Sequence, residues 1–407
     1  MAKKTVSAIV NDIRAKGERK TLLGIGPVSE NVIRAAFRSA ARHKYPPMFI
    51  ASRNQIDADE FGGGYVRGWD QKRCREHMAA AAEKENFSGP FYLCRDHGGP
   101  WQRDEEYKQN LPREDALALG IKSFKVDIDN GFDLLHVDPT KNPHKSGQSD
   151  MDDILNLTIE IISELEAYRK DRGSPEISYE IGTEETDGGL TSVGAFEDFI
   201  RKYMDAAEAR GLPKPAFVVG QTGTLTRLIE NVGDFDQTAA EALCSVCDKY
   251  GTGLKEHNCD YLPEALLCLH TGLGIHGANV APEFGAVEST AYLNLAAVEA
   301  RLAAQRGFSA SETSKVLIKN AIDSGKWKKW LTAGQADMGA KIDGQNAILI
   351  TKISGHYTLE AADFLAERAK MYENLAGAFI DGAEYIIESV RASIDRYVRN
   401  FNLYNTL

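Results

Sequence analysis

Two histidines far apart in the chain, His97 and His257, each follow a carboxylate residue, as Asp96-His97 and Glu256-His257, and Glu184 lies between them in sequence. Two imidazoles and one carboxylate are the donors that a Zn²⁺-type Lewis-acid centre needs if it is to keep positions open for substrate oxygens. Taken singly, each histidine fits a hydrogen-bonded structural role as well as ligation. It is the set His97, Glu184 and His257 that points to a divalent metal, and closure of a sheet would have to bring the two imidazoles together.

The elements that could do this are legible as alternation. Short apolar runs, Leu22 to Ile25, Met48 to Ser52, Phe91 to Arg95, Leu134 to Val137, Ser178 to Gly182, Ala216 to Gly220, Gly253 to His257 and Ile275 to Val280, read as strands. Each is followed by an amphipathic stretch: Glu30 to His43, Gln71 to Glu85, Arg113 to Asp127, Asp150 to Lys170, Val193 to Arg210, Thr238 to Tyr250, Pro263 to Thr271 and Ala286 to Arg306. Eight βα units predict a (β/α)8 TIM barrel over residues 1–305. Pro27 after Gly24 and Gly26 spoils the glycine pattern of a dinucleotide-binding turn. Beyond residue 306 the pattern becomes helical, around Ser311 to Leu331 and Leu359 to Asn402, with a glycine-containing stretch from Gly334 to Gly355 between. Trp327, Trp330, Tyr372, Leu375 and Phe379 recur at helical spacing, which predicts a C-terminal extension, residues 306–407, packed on the barrel rather than covering its mouth.

In such barrels the chemistry sits where the strands end. Polar residues gather there: Ser52 to Gln55, Arg95 to His97, His136 with Asp138, Glu180 with Glu184, Gln221, Lys255 to Asn258, and His276 with Asn279 and Glu283. His136 and Asp138 alternate with apolar neighbours and so share a face. Asn54, Gln55, Asp138, Gln221 and Asn279 are the expected substrate-binding groups, while His43, His77, His144 and His270 fall on helices or outer loops as structural or solvated residues.

Composition excludes several classes. A net charge of −11 argues against a nucleic-acid partner, because such a chain can supply a basic face only locally. Asn11, Asp12, Arg14 and Lys16 interrupt what would be the apolar region of a signal peptide, and no run is long enough to span a membrane, so a cytoplasmic protein is expected. Six scattered cysteines fit that setting. Cys244 and Cys247 form a C-x-x-C, but it lies in a helix-like stretch with no second pair, so packing is the expected role.

The runs Ser52 to Tyr65, Arg95 to Trp101, Leu135 to Pro139, Ile181 to Glu184 and Glu256 to Pro263, in this order and reaching to the Lys326 to Trp330 segment, resemble the GatZ/KbaZ family. That family comprises tagatose-bisphosphate aldolase subunits called non-catalytic, and is related to class II aldolases and to tagatose/tagaturonate 4-epimerases. The resemblance implies that His97 and His257 occupy ligand positions, with Asp96 as acid/base. Class II aldolases usually carry another histidine at strand six; Gln221 stands here, so Glu184 becomes the expected third ligand and a second acid/base candidate. Their phosphate-binding Gly-Gly-Ser after strand seven is replaced by Asn258-Cys259-Asp260, where a carboxylate would repel phosphate. The implied activity is metal-dependent retro-aldol chemistry, as aldolase or 4-epimerase, on a ketose or ketose phosphate, with zinc the expected metal. The alternatives are a non-catalytic subunit that stabilises a partner aldolase, a Schiff-base aldolase using Lys255, and a sugar-binding protein without turnover. A homo-oligomer is expected.

Overall fold

In the computed structural model, which describes residues 3–144, 150–183, 190–332, 334, 335, 338 and 342–407, the apolar runs form eight parallel strands. They are β1 (Leu22–Ile25), β2 (Met48–Ser52), β3 (Tyr92–Gly98), β4 (Leu134–Val137), β5 (Ser178–Gly182), β6 (Phe217–Val219), β7 (Gly253–Glu256) and β8 (Gly277–Val280). Each pairs with its neighbours in sequence, and β1 closes on β8 with Leu22 opposite Gly277 and Ile25 opposite Val280. This is a (β/α)8 barrel. Because helices cover the outer face, both faces of each strand are buried, and the strands read as near-continuous apolar runs rather than alternating ones.

The helices of the outer ring lie where the spacing predicts them, with small shifts at the ends. One shift matters for the site: the last barrel helix begins at Pro282, four residues before the expected Ala286, because proline fits the first turn, where its missing N–H costs nothing. A helix at Val6–Ala15, absent from the sequence reading, turns Val6, Val10 and Ile13 inward and donates the Ser7 N–H to Ser178 Oγ, at the N-terminal end of β5. Cys244 and Cys247 are buried on the helix Gln237–Tyr250, and burial pushes the Cys244 thiol up to about 12, which makes it a packing residue.

The extension is helical at Thr313–Asp323, Gly344–Ser354, Ala362–Ala376 and Gly382–Asn400. The helix expected over Ser311 to Leu331 is broken by Gly325, at φ 62°, after which Lys326–Trp330 forms a tight 3₁₀ turn. The glycine-containing stretch holds the helix Gly344–Ser354, started by Asp343, whose carboxylate accepts the N–H of Gln345 and Asn346. Gly382–Asn400 packs against Glu30–His43 and Pro282–Arg306, and its Ile387, Val390, Ile394 and Tyr397 join the barrel's own core. Among the described residues no helix is long and apolar enough to cross a membrane.

Candidate metal and substrate site

In a regular strand Asp96 and His97, being consecutive, would point to opposite faces. Here the β3–β4 register shifts between Arg95 and Gly98, and His97 takes φ 46°, in the left-handed region. The irregularity re-aims the strand end, so both side chains reach the same mouth. Gly98 and Gly99 permit the turn: a Cβ on Gly98 would meet Phe124 at 2.3 Å, and Gly99 sits at φ 128°.

Asp96, His97, His136 and His257 each bring one ligand-type atom within 4.8 Å of the others. His97 Nδ1 lies 2.6 Å from Asp138 Oδ2, and His257 Nε2 lies 2.6 Å from Glu180 Oε1. The remaining nitrogens, His97 Nε2 and His257 Nδ1, face each other at 3.2 Å. A carboxylate behind each imidazole fixes its orientation and raises its basicity, as behind metal-bound histidines generally. His136 Nδ1 accepts the His97 backbone N–H at 3.2 Å, while its Nε2 is buried with no hydrogen-bond partner among the described residues. Three imidazoles and a carboxylate gathered within this distance are a donor set that a divalent cation fits.

The charges around the cluster are consistent. Burial holds His136 below its ordinary value, against the pull of Glu180, which favours the neutral ring. Burial would raise Asp138, but its bond from His97 and the nearby imidazoles outweigh it and keep the carboxyl well below the usual range. Burial would likewise raise Glu180; the Lys255 ammonium, His136 and His257 together hold it down instead. Lys255 Nζ donates to Glu180 Oε2 at 2.6 Å and its side chain is 3% exposed. The pairing seals Lys255 below the cleft and gives the Schiff-base reading no support, since a nucleophilic lysine must be neutral and accessible.

Other residues hold these in place. Asn279 Nδ2 donates to Asp96 Oδ1 at 3.0 Å across the β1–β8 seam, and Gly24 opposite leaves the room: a Cβ there would fall 2.3 Å from Asn279 Oδ1. Arg95 and Arg53, read from sequence as polar strand ends, are fully buried and structural. Arg95 pairs with Asp127 and donates to the carbonyls of Ala51 and Ile56, at the end of β2. Arg53 pairs with Asp57 and Glu106 and donates to the carbonyl of Gly99, at the end of β3. Each strand end is thus fastened by the arginine of the other.

Asp96, His97 and His257 of the cluster line a cleft of about 530 Å³, with His136 buried behind them. Of the residues expected from sequence, Asn54, Gln55, Asp96, His97, Asp138, Gln221, His257 and Asn279 all line it. Asn54 is partly engaged by the chain itself, bonding Gln102 and Asp104, and Gln55 Oε1 accepts the Ser52 N–H. Glu184 lies outside the described residues. His136 and Glu180 were legible only as polar strand residues, though the alternation of His136 with Asp138 carried the signal. His276 is a correction: β8 starts at Gly277, so His276 lies at the opposite, N-terminal rim. Glu283 is structural, bound by Arg396, Ser393 and Tyr397. The extension does more than pack, because Lys326, Lys329, Trp330, His356 and Tyr357 line the mouth.

A second group of donors, Glu256, Cys259 and His270, also lies within 4.8 Å, but all three are buried and none lines the cleft. Glu256 accepts from Thr222 and Thr224 and lies 2.6 Å from His270 Nε2, while His270 Nδ1 lies 2.7 Å from the Leu266 carbonyl.

Comparison with known proteins agrees with this architecture. The family model for D-tagatose-1,6-bisphosphate aldolase subunit GatZ/KbaZ-like proteins matches residues 7–342. No curated protein matches the chain. A solved structure described as a probable tagatose 6-phosphate kinase from Sinorhizobium meliloti is 20% identical, with a TM-score of 0.77 over 94% of this chain and 100% of that one. The fructuronate-tagaturonate epimerase UxaE from Cohnella laeviribosi is 12% identical, with a TM-score of 0.57 over 94% of this chain and 81% of its own. Fructose-bisphosphate aldolase from Campylobacter jejuni is 11% identical, with a TM-score of 0.53 over 99% and 96%. At these identities the likeness is one of fold.

Proposed function

The chain belongs to the GatZ/KbaZ-like family, and from that premise we propose that it is a divalent-metal-dependent enzyme of retro-aldol type, an aldolase or a 4-epimerase acting on a ketose or ketose phosphate. The observation that carries this reading is the convergence of Asp96, His97, His136 and His257, three of which line one cleft, with a carboxylate behind two of the imidazoles. His97, His257 and His136 would hold the cation, zinc by donor type, and Glu184, from the segment after β5, is kept as a proposed further ligand and second acid/base. When bound, the cation supplies Lewis acidity toward the carbonyl and neighbouring hydroxyl oxygens of the ketose.

Asp96, held by Asn279, takes the proton of the hydroxyl beside the breaking carbon–carbon bond as that hydroxyl becomes a carbonyl, and returns it when the bond re-forms. Asn54, Gln55, Asp138, Gln221 and Asn279 are proposed to orient the sugar. If the enediolate fragment takes up a proton at carbon and both fragments leave, the reaction is aldol cleavage; if one rotates and rejoins, it is 4-epimerisation. Treatment with a chelator followed by metal add-back, with product analysis on a ketose panel, tests the reading: turnover should vanish and return, and turnover indifferent to chelation overturns it. The family description as an aldolase subunit favours a second reading, a partner that stabilises a separate catalytic chain. Assay of the purified chain alone decides, since such a partner turns nothing over by itself.

A further inference from the structure

The two walls of the cleft differ in what they offer an anion. In barrels of this kind a phosphate commonly sits on backbone amides after the seventh and eighth strands and at the start of the helix that follows. Here the chain occupies those amides itself. Asp260 Oδ1 accepts the N–H of Ala281 at 3.1 Å and of Glu283 at 2.8 Å, and Glu283 Oε2 accepts the N–H of Tyr261 at 2.6 Å. Asp260 lines the cleft with Oδ1 already committed to these amides, so an incoming anion would find no free amide from Tyr261, Ala281 or Glu283.

The other wall is cationic. Lys141 follows the β4 end, Arg227 lies on the two-stranded ribbon Thr226–Arg227 and Glu230–Asn231, and Lys326 and Lys329 come from the 3₁₀ turn of the extension. Ribbon and turn are joined, since the Leu228 N–H donates to the Trp330 carbonyl at 3.0 Å. Lys329 Nζ lies 5.4 Å from the ring centres of both Trp330 and Tyr357, which steady it at the mouth. One carboxylate, Asp104, serves this group, 3.4 Å from Lys326 Nζ. Among the described residues, Lys141, Arg227 and Lys329 have no carboxylate within ion-pair distance. Burial would raise Asp104, yet the fields of Lys329, Lys326 and Lys141 outweigh it and hold the carboxyl below its ordinary value. Such a concentration of positive charge is conspicuous in a chain of net charge −11.

We propose that Lys141, Arg227, Lys326 and Lys329 form the subsite for a terminal acid group of the ketose, phosphate or carboxylate, at the end remote from the bond that breaks. The inference rests on the ketose reading above and extends it: the C-terminal extension, rather than the loops after β7 and β8, selects for the anion.

The test is calorimetric binding of fructose, fructose 6-phosphate and fructuronate to the metal-loaded protein. Both acids should bind about tenfold or more tightly than fructose, and their advantage should fall with added salt. In the double variant Lys326→Ala/Lys329→Ala the advantage should shrink to about twofold, while Lys319→Ala, on an exposed helix face of the extension, should retain it. Whichever acid gains more names the source of the anion. Equal binding of all three ligands by the unaltered protein, or an advantage undiminished in the double variant, overturns the proposal. Because binding is read without turnover, failure here is separable from failure of the retro-aldol reading, which the chelation experiment judges.

Discussion

Glu256 and His257 are neighbours on the chain, yet they belong to two donor groups with opposite fates. His257, just past the end of β7, points into the mouth beside His97 and His136; Glu256, at the last position of β7, points outward to His270 on the helix Glu264–Leu273. Both groups bring imidazole and carboxylate within the same short distance. In the outward one the polar atoms of Glu256 and His270 are answered by the protein, and none of the three residues lines the cleft. In the inward one His97 and His257 turn a ring nitrogen toward each other at the floor of a cleft that can admit a sugar. The residue types are shared; strand parity decides which set is chemistry and which is architecture.

This contrast can be broken by exchanging the consequences. The largest effect is expected at His97 or His257: replacement by Ala should reduce turnover to background and lower metal content in elemental analysis. Asp96→Asn should retain the metal but lose on the order of 10²–10⁴ in kcat, as when a general acid/base is removed. A variant that lost the metal as well would reassign Asp96 to ligation.

His270→Gln should behave in the opposite sense. Metal content and chelator sensitivity should be those of the unaltered protein, while urea unfolding should show a loss of about 3 kcal/mol, because Glu256 is left as a buried, poorly compensated charge. Burial would lower His270, but the charge of Glu256 and its bond outweigh it and raise the ring above 6.5. A raised folded-state value stabilises fully below the unfolded one and loses its effect as pH rises through the folded one. The stability gap between His270→Gln and the unaltered protein should therefore be widest near pH 6 and narrow in alkali; a gap that widened would contradict the ion pair. The smallest effect sharpens the comparison from within: Glu180→Gln should weaken metal affinity by about 10- to 100-fold, the usual consequence of altering the carboxylate behind a metal-bound histidine. Unchanged affinity would mean that Glu180 serves only Lys255.

Much of this was legible in the sequence because two-faced burial makes parallel strands conspicuous, and because barrel strand ends are where converging polar residues must lie. His97, His257, Asp138 and Asn279 were found that way. His136 and Glu180 were not singled out because they sit one step deeper, inside the strands, where a polar residue among apolar ones is as readily structural. The bulge at Arg95 to Gly98 leaves only a pair of glycines as its trace, since register is a property of two strands at once. His356 and Tyr357 reach the mouth through the tertiary path of the extension, which helical spacing does not encode.

The crossed arginines, Arg53 under the β3 end and Arg95 under the β2 end, mean that these two loops form a single mechanical part. Anyone grafting one of them from a relative to alter sugar preference must carry the other along with Asp57, Glu106 and Asp127. Transplanted alone, either loop would strand a guanidinium in the protein interior, and the graft would fail by misfolding before its selectivity could be measured.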